Sequence, residues 1–416
     1  MIIGSEATAQ SGISSPYSAF GLGYINDVNN IHNRLMGGIG IGTRDRYTIN
    51  LKNPASYTAF DSTSFVFEGA MTGQYTGLKT KNVDEEITSA SLSHLLFGFP
   101  VTKWWRSSFG LVPFSNVGYN VVDFETKENI GKIEYSFEGN GGVSRVFWGN
   151  AFQPFKSLSI GINASYLFGT IDHTQSVSFP DSLYIINTKE SNSVTIGDLY
   201  FDFGVQYTTK FKNDLEFVAG ATFHPKINLN ANRDYLARSY LGVVNDINIY
   251  RDTIAAITDE KGVVTIPIGY GLGFSFAKTD KWLAGFDYKF DKWSEYKSFG
   301  VSDSLVNSHS FNIGGLFVPD YSSLSYLNRI NYQLGAKYSF SYLKLRGEQI
   351  NSFGITFGIG LPLRSLAARG SKSMINLGVE VGRRGTLDKG LIQENYINFY
   401  FGISIYEWWF YKRRYQ

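Results

Sequence analysis

The 416-residue chain contains no cysteine, which excludes thiolate metal sites, cysteine nucleophiles and disulfide bonds. Charged residues are also scarce, at 18% of the chain against the usual quarter or so. The formal net charge is only +2, so no polyanionic partner such as a nucleic acid is indicated.

Long hydrophobic runs are absent as well. About the longest apolar stretch is HLLFGFPV, residues 94–101, whereas a membrane-spanning helix needs roughly 18–20 apolar residues. Helical membrane insertion is therefore excluded. A transmembrane barrel is not, because its strands alternate apolar and polar residues and escape hydropathy averages.

Aromatic residues and glycine are abundant. Aromatics make up 16% of the chain, and there are 27 Tyr, 33 Phe and 44 Gly. These residue types favour strands and tight turns. From Ser62 onward a period-2 pattern continues to the end of the chain. Its clearest example has Ile397, Phe399, Phe401, Ile403 and Ile405 on one face, with Asn398, Tyr400, Gly402 and Ser404 on the other.

A membrane barrel explains this pattern better than a soluble sandwich. The predicted strands have ten or more residues, whereas soluble strands average about 5–6. Connections alternate between tight turns and the long polar segments 174–193 and 229–262, which we interpret as external loops. All tryptophans except Trp293 fall at the short-turn side, as an aromatic girdle requires. The sequence predicts an all-β, antiparallel transmembrane barrel of about 14 strands with both termini periplasmic.

The first 60 residues do not follow the alternation. Ala7-Thr8-Ala9 is a small-x-small cleavage signature, so residues 1–9 are interpreted as a signal-peptide remnant, with an ordinary N-terminus as the alternative. A barrel of this width does not fill its own lumen. We therefore expect residues 10–60 to form an N-terminal hatch, or plug, inside a barrel of residues 61–416.

Several stretches resemble one family of outer-membrane proteins. LKNPASYTAFDSTSF (51–65) resembles the N-terminal hatch signature of FadL-type (OMPP1/FadL/TodX-like) transporters, and FGLVPFSNVGYNV (109–121) resembles their third strand. GITFGIGLPL (354–363), residues 375–405 and the ending EWWFYKRRYQ look like the Bacteroidota branch, which includes the PorV-like barrels of type IX secretion. The resemblance spans nearly the whole chain.

The resemblance implies passive uptake of hydrophobic, fatty-acid-like molecules, gated by the hatch and released sideways at a kinked third strand. It assigns Asn53, Pro54 and Ala55 to the hatch, although Asn-Pro is also a common turn start. Pro113 lacks a backbone N–H and removes one ladder bond. Gly110 and Gly118 flank it, which predicts a lateral opening there or a simple bulge.

The predicted lumen face is charged. Its members are Asp198, Asp202, Asp287, Lys289, Asp291, Glu380, Arg383 and Arg384. Such an interior and polar external loops fit a fatty-acid channel less well, so a second function stays open: a non-transporting accessory barrel of an outer-membrane assembly or secretion complex. The expected partners are outer-membrane lipids, a hydrophobic ligand or proteins of such a complex, in the outer membrane of a Gram-negative bacterium.

Three chemical motifs are set aside. GGIGIG (37–42) lacks the strand-turn-helix context and the lysine of a phosphate loop. The five histidines have no metal-ligand spacing. In SLSHL (91–95), Ser91 and Ser93 should face away from His94, since neighbouring strand residues point to opposite faces. The sequence therefore predicts no cofactor, no metal and no enzymatic activity.

Overall fold

A computed structural model describes residues 15–81, 84–182, 185–244, 247–363 and 373–408. The predicted signal-peptide remnant, residues 1–9, and Trp409 lie outside these ranges. Two short helices, α1 Ile31–Arg34 and α2 Tyr326–Arg329, and five 3₁₀ turns accompany the strands. The strands are β1 Tyr24–Ile25, β2 Ser64–Lys79, β3 Asp84–Pro100, β4 Trp105–Lys127, β5 Gly131–Phe155, β6 Leu158–Ser178, β7 Asn187–Lys210, β8 Leu215–His224, β9 Ile227–Val244, β10 Ile247–Ile266, β11 Gly269–Lys278, β12 Trp282–Asp291, β13 Lys297–Ser298, β14 Ser308–Phe317, β15 Asn331–Leu345, β16 Glu348–Pro362, β17 Met374–Gly385 and β18 Gln393–Trp408. Among the described residues, neither helix has the length and apolarity that a membrane crossing requires.

Strands β2 to β18, apart from the two-residue β13, form one closed antiparallel ring. The last strand, β18, pairs with β2 from Gln393 opposite Lys79 to Trp408 opposite Ser64, which joins the two ends of the sheet. Strands β8 and β9 lie end to end, separated by Pro225, and β10 and β11 are separated by Pro267. Proline has no N–H for the ladder, so both interruptions have a local cause. The wall is a closed barrel of 14 strands, which confirms the predicted fold class.

The two faces of the wall differ as the alternation predicts. On β16, Phe353, Ile355 and Phe357 are 45–53% exposed and face outward, whereas Thr356 between them is fully buried. The inner face carries small and polar residues along the ring. An apolar outer band around a polar interior is the arrangement of an outer-membrane barrel.

One side of the barrel is much taller than the other. Strands β4 to β7 contain 21–25 residues each, whereas β11, β12 and β14 contain 10. The prediction that residues 229–262 form an external loop is wrong. These residues belong to the β9–β10 hairpin, whose pairs run from Ile247 opposite Val244 to Ile266 opposite Ile227. Leu229, Ala231 and Val264 of the hairpin are buried, whereas most of β10 between residues 251 and 263 is exposed, so the sequence of β10 carries no clear alternation. Much of segment 174–193 likewise belongs to the ends of β6 and β7.

Residues 15–60 form a compact N-terminal segment that contacts strands on all sides of the ring. Gly37 N donates to Thr356 of β16 (2.9 Å), and Gly40 N donates to Asp287 of β12 (2.7 Å). On the opposite side, Ile41 O accepts from Gln206 of β7 (3.1 Å). Its own turns are held by side-chain caps, since Ser15, Asn30 and Asn53 each accept a backbone N–H bond at the start of a helical turn.

Candidate functional site

The ladder between β3 and β4 is incomplete. Among the described residues it contains six pairs, from Pro100 opposite Arg106 to Leu95 opposite Leu111. Beyond that point β3 pairs with β2 alone, while β4 continues along β5 as far as Lys127. The barrel wall therefore has an interrupted seam between β3 and β4, which we call the wall gap.

Local sequence explains where the ladder ends. A Cβ at Gly110 would collide with the backbone carbonyl of Leu95, so this position, next to the last residue pair of the ladder, needs glycine. Pro113 follows two residues after the last pair and cannot donate to β3. The β4–β5 register then shifts between Pro113 and Ser115, which leaves Phe114 as a bulge with its ring buried.

The N-terminal segment takes the place of β3 beside β4. In β1, Tyr24 and Ile25 pair with Asn116 and Ser115. Asn26 N donates to Phe114 O at 3.0 Å. A free strand edge in a membrane wall leaves backbone groups unsatisfied, and this segment satisfies them from the inside.

Gly118 belongs to the same edge. Its N–H donates to Ser18 Oγ (3.0 Å), and its carbonyl accepts from Ser15 N (2.7 Å) and Ser18 Oγ (3.2 Å). The sequence associates Gly110, Pro113 and Gly118 with a lateral opening. In the structure Gly110 lies in the last residue pairs of the β3–β4 ladder, Pro113 lies just beyond its end, and Gly118 lies on the β4 edge that the N-terminal segment covers.

A small polar cavity of about 70 Å³ lies behind the wall gap. Leu92 and Ser93 line it from β3, and Pro113 and Asn116 line it from β4. Deeper in the lumen its lining is charged: Asp27, Arg34, Lys337, Glu380 and Arg384. Thr72 Oγ1 and Asn398 Oδ1 are buried in the lining without a hydrogen-bond partner among the described residues. Buried polar atoms of this kind call for a polar occupant.

The Asn53-Pro54-Ala55 triplet both caps a turn and contacts the wall. Asn53 Oδ1 accepts from Ala55 N (3.1 Å), while Asn53 Nδ2 donates to Ile41 O (2.9 Å) and to Val205 O of β7 (3.1 Å). The wall opposite consists of Gly161 and Gly204, where any Cβ would collide with the triplet. The segment is therefore seated directly on β6 and β7 at this point.

Most predicted lumen charges are paired inside the barrel. The ion pairs are Asp202 with Arg145 (2.9 Å), Lys289 with Asp291 (2.9 Å), Glu380 with Lys337 (2.7 Å) and Arg384 with Glu394 (3.1 Å). Asp198 accepts from the backbone and the side chain of Asn230 (2.9 and 2.8 Å). Arg145, Lys337 and Glu394 were missed in the sequence, although each lies on the inner face set by alternation.

The prediction that Arg383 faces the lumen is wrong. It is exposed and lies on the same face of β17 as Val381, which is 54% exposed. Adjacent strand residues point to opposite faces, so only Arg384 of this pair reaches the lumen.

Asp287 connects the wall to the N-terminal segment. Its Oδ2 accepts from Gly40 N (2.7 Å) and Ile41 N (2.9 Å) and lies 3.7 Å from Lys52 Nζ. The GGIGIG stretch thus directs its N–H groups at a wall carboxylate, as a phosphate loop would at a phosphate. Asp27 lies 3.8 Å from the same ammonium group. Burial acts to raise the pKa of Asp27, but Lys52 and Arg34 outweigh it and lower the pKa below its ordinary value.

A bulge in β3 overturns the expected separation of Ser93 and His94. The β2–β3 register shifts between Ala70 and Met71, and both side chains become buried on the inside. Ser93 Oγ lies 3.2 Å from His94 Nδ1, and His94 Nε2 lies 3.8 Å from Glu68 Oε2. Glu68 in turn accepts from Ile49 N (2.8 Å), so this cluster fastens the N-terminal segment to β2 and β3. Among the described residues, no three His, Asp or Glu side chains form a group that could hold a metal ion.

A much larger cavity, of about 800 Å³, lies within the tall side of the barrel. Its floor is the N-terminal segment from Pro16 to Leu22, and its wall is the inner face of β4 to β7, β9 and β10. We call it the vestibule. Two smaller cavities, of about 100 and 180 Å³, lie around Ile25 to Asp27.

The closed antiparallel barrel of 14 strands has the fold of FadL-type outer-membrane channels. The chain matches the BamG family model over residues 1–416, and it belongs to the BamG family. No curated protein matches the chain.

Solved structures of the same architecture include the CymD monoaromatic hydrocarbon channel, at 14% identity and a TM-score of 0.58 over 93% of this chain and 98% of that one. A FadL homologue of Pseudomonas aeruginosa is 10% identical, with a TM-score of 0.57 over 93% and 99% of the two chains. The toluene transporter TodX of Pseudomonas putida is 14% identical, with a TM-score of 0.56 over 94% and 100%. These likenesses show the fold; the Bacteroidota branch stays a prediction.

Proposed function

We propose that this protein is a passive outer-membrane channel through which small hydrophobic or amphipathic molecules enter the barrel and leave sideways through the wall gap. The observation that carries the proposal is the seam between β3 and β4, which ends at Leu95 and Leu111 and is covered beyond that point by β1 of the N-terminal segment. Structural relatives that are described as hydrocarbon channels and a toluene transporter support the same class of ligand.

In this proposal residues 15–60 act as the hatch. The β1–β4 contact contains only two residue pairs, whereas Asp287, Asn53 and Glu68 hold the rest of the segment to the wall. A local shift of residues 15–26 would free the β4 edge and leave the remaining anchors in place. The proposed location is the outer membrane of a Gram-negative bacterium of the Bacteroidota, with both termini periplasmic.

The lining of the cavity behind the gap limits the ligand. Arg34, Lys337 and Glu380 line it, and a pure hydrocarbon would remove water from these charged groups at a cost. An amphipathic molecule with a polar end satisfies this lining and presents its apolar part to the membrane. Fatty-acid-like molecules fit this description better than toluene does.

A disulfide across the β1–β4 contact tests the proposal, because the chain has no cysteine of its own. The Tyr24→Cys/Asn116→Cys pair joins two register partners and locks the segment over the gap. We expect uptake of radiolabelled laurate, by Gram-negative cells that lack their own fatty-acid channel, to stop in the oxidised variant and to return after reduction.

The matched control is Val122→Cys/Ser136→Cys, which links partners on β4 and β5 and leaves the N-terminal segment untouched. Equal uptake by the oxidised and the reduced locked variant, or uptake no greater than in cells without the protein, would overturn the proposal.

The second candidate function is a non-transporting accessory barrel of an outer-membrane assembly or secretion complex. The occupied lumen favours it, since residues 15–60 bond to β7, β12 and β16 across the interior. Crosslinking in native membranes followed by mass spectrometry decides between the two: a stoichiometric protein partner supports the accessory role, and co-purified lipid alone supports the channel.

A further inference from the structure

The wall of the vestibule carries a row of polar and aromatic side chains at one level of the tall sheet. Tyr119 of β4 is opposite Gly139 of β5, Gly139 is opposite His173 of β6, and His173 is opposite Asn192 of β7. Asn192 is opposite Tyr235 of β9, which completes the row. The side chains of Tyr119, His173, Asn192 and Tyr235 line the vestibule.

The row is preorganised by its own contacts. Tyr119 Oη lies 2.8 Å from His173 Nδ1, and the Tyr119 ring lies over Gly139, where a side chain would collide with it. Tyr235 is hydrogen-bonded to Glu190 of β7, and Glu190 is the register partner of Gln175 on β6. A row held in this way keeps its polar groups in place before a ligand arrives.

One polar atom of the row is left over. Asn192 Oδ1 is buried and has no hydrogen-bond partner among the residues that the structure describes. A hydrocarbon in the vestibule would cover the polar side chains of Gln175, Glu190 and Asn192 without bonding to them, which is unfavourable. The vestibule wall thus favours a ligand that forms hydrogen bonds over a hydrocarbon.

The charges of the vestibule do not favour an anion. Its lining contains the carboxylates of Glu190 and Asp303 and the guanidinium group of Arg346. Asp303 already accepts from Gly21 N (2.9 Å), and Arg346 donates to the carbonyls of Lys389 and Gly390 (2.7 and 3.2 Å). A neutral ligand meets no opposing charge here.

The spacing of the row matches a chain of rings. Neighbouring strands lie about 4.8 Å apart, so the row from β4 to β9 is roughly 19 Å long. One strand step is comparable with the length of one pyranose unit, and pyranoses combine hydroxyl groups with apolar faces that stack on aromatic rings. Phe20 and Phe137, both half-buried, offer such rings around the row.

We propose that the vestibule binds a neutral oligosaccharide along the row Tyr119, His173, Asn192 and Tyr235. This site goes beyond the proposed function, because the vestibule shares no lining residue with the cavity behind the wall gap and takes a different class of ligand. The sugar is either a free oligosaccharide or the carbohydrate part of a surface glycolipid, since both present the same hydroxyl chemistry.

Calorimetry on the full chain, purified in a detergent without a sugar headgroup, tests the site. The probes are maltohexaose, xylohexaose and mannohexaose for a free sugar, and a delipidated neutral O-polysaccharide for a glycolipid. We expect saturable binding of at least one probe. Asn192→Leu, which replaces the unpartnered amide by an apolar side chain of similar size, should weaken that binding at least tenfold.

The matched control is Asn120→Leu, because Asn120 is exposed next to Tyr119 on the opposite face of β4. It should bind as the unchanged protein does, and both variants should keep the heat-modifiable gel migration of a folded barrel. The site is overturned by the absence of saturable binding for every probe, by equal affinity in Asn192→Leu, or by a Gly-Ser peptide or toluene binding there instead. Laurate uptake is measured separately, so failure here leaves the channel proposal standing.

Discussion

Lys52 Nζ lies 3.7 Å from Asp287 Oδ2 inside the barrel, with the two side chains only 8% and 2% exposed. One partner belongs to the N-terminal segment and the other to the wall, and the carboxylate also receives two N–H bonds of the segment. A buried charge that loses its partner is costly. This pair therefore anchors the segment to β12, four wall strands away from β6.

Asp287→Asn should loosen this anchor. The amide cannot balance Lys52, and we expect the free energy of unfolding to fall by about 1–3 kcal/mol, less than for an isolated pair because Asp27 also lies near Lys52. Urea unfolding in micelles measures the change. Asp123→Asn at the exposed end of β4 serves as the control and should have no measurable effect.

Gly110→Ala should disrupt the end of the β3–β4 ladder. The added methyl group meets the Leu95 carbonyl, and overpacking of this kind costs about 1–3 kcal/mol. Gly73→Ala on β2 provides the comparison, since the nearest atom to its Cβ is 3.9 Å away. Equal stability of the two variants would contradict the close approach at Gly110.

Two substitutions at Asn53 separate its role as a helix cap from its role as a hydrogen-bond donor to Ile41 and to the wall. Asn53→Asp keeps the oxygen that caps Pro54–Ala59 and loses the two donors to Ile41 and Val205, whereas Asn53→Ala loses both roles. Each lost bond is worth about 1 kcal/mol. Limited proteolysis of the N-terminal segment should be fastest in Asn53→Ala. If Asn53→Asp resists protease as the unchanged protein does, the wall contact contributes nothing.

Acid should weaken the seating of the N-terminal segment through His32. Burial lowers the pKa of His32 below its ordinary value of 6.5, against an opposing effect of Asp45, and its ring lies 2.8 Å from Gln333 Nε2. The seated state therefore binds fewer protons than the released state. The contribution of His32 is complete above about pH 6.5 and is lost as the pH falls toward the lowered pKa.

His32→Gln removes this titration. The difference in stability between the unchanged protein and His32→Gln should shrink as the pH is lowered from 7.5 to 5, as followed by thermal melts of both proteins. A difference that does not change with pH would mean that His32 keeps the same protonation state whether the segment is seated or released.

Much of the wall follows from the sequence alone. Strand pairing in a membrane wall requires apolar residues on one face and small or polar residues on the other, so the period-2 pattern from Ser62 onward specifies which side chains of β16, β17 and β18 face the lumen. The same rule should have excluded Arg383 beside Arg384. Pro113 and Gly110 mark the weak point of β4 because their backbone chemistry is local.

Tertiary structure alone decides what occupies the lumen and what completes the seam. Nothing local in residues 15–26 predicts that they pair with β4, since that contact joins positions about 90 residues apart and depends on the closure of the whole ring. The bulge that turns Ser93 and His94 inward, the β9–β10 hairpin and the polar row of the vestibule likewise arise from register between strands. Register is a property of pairs of strands, and no single strand contains it.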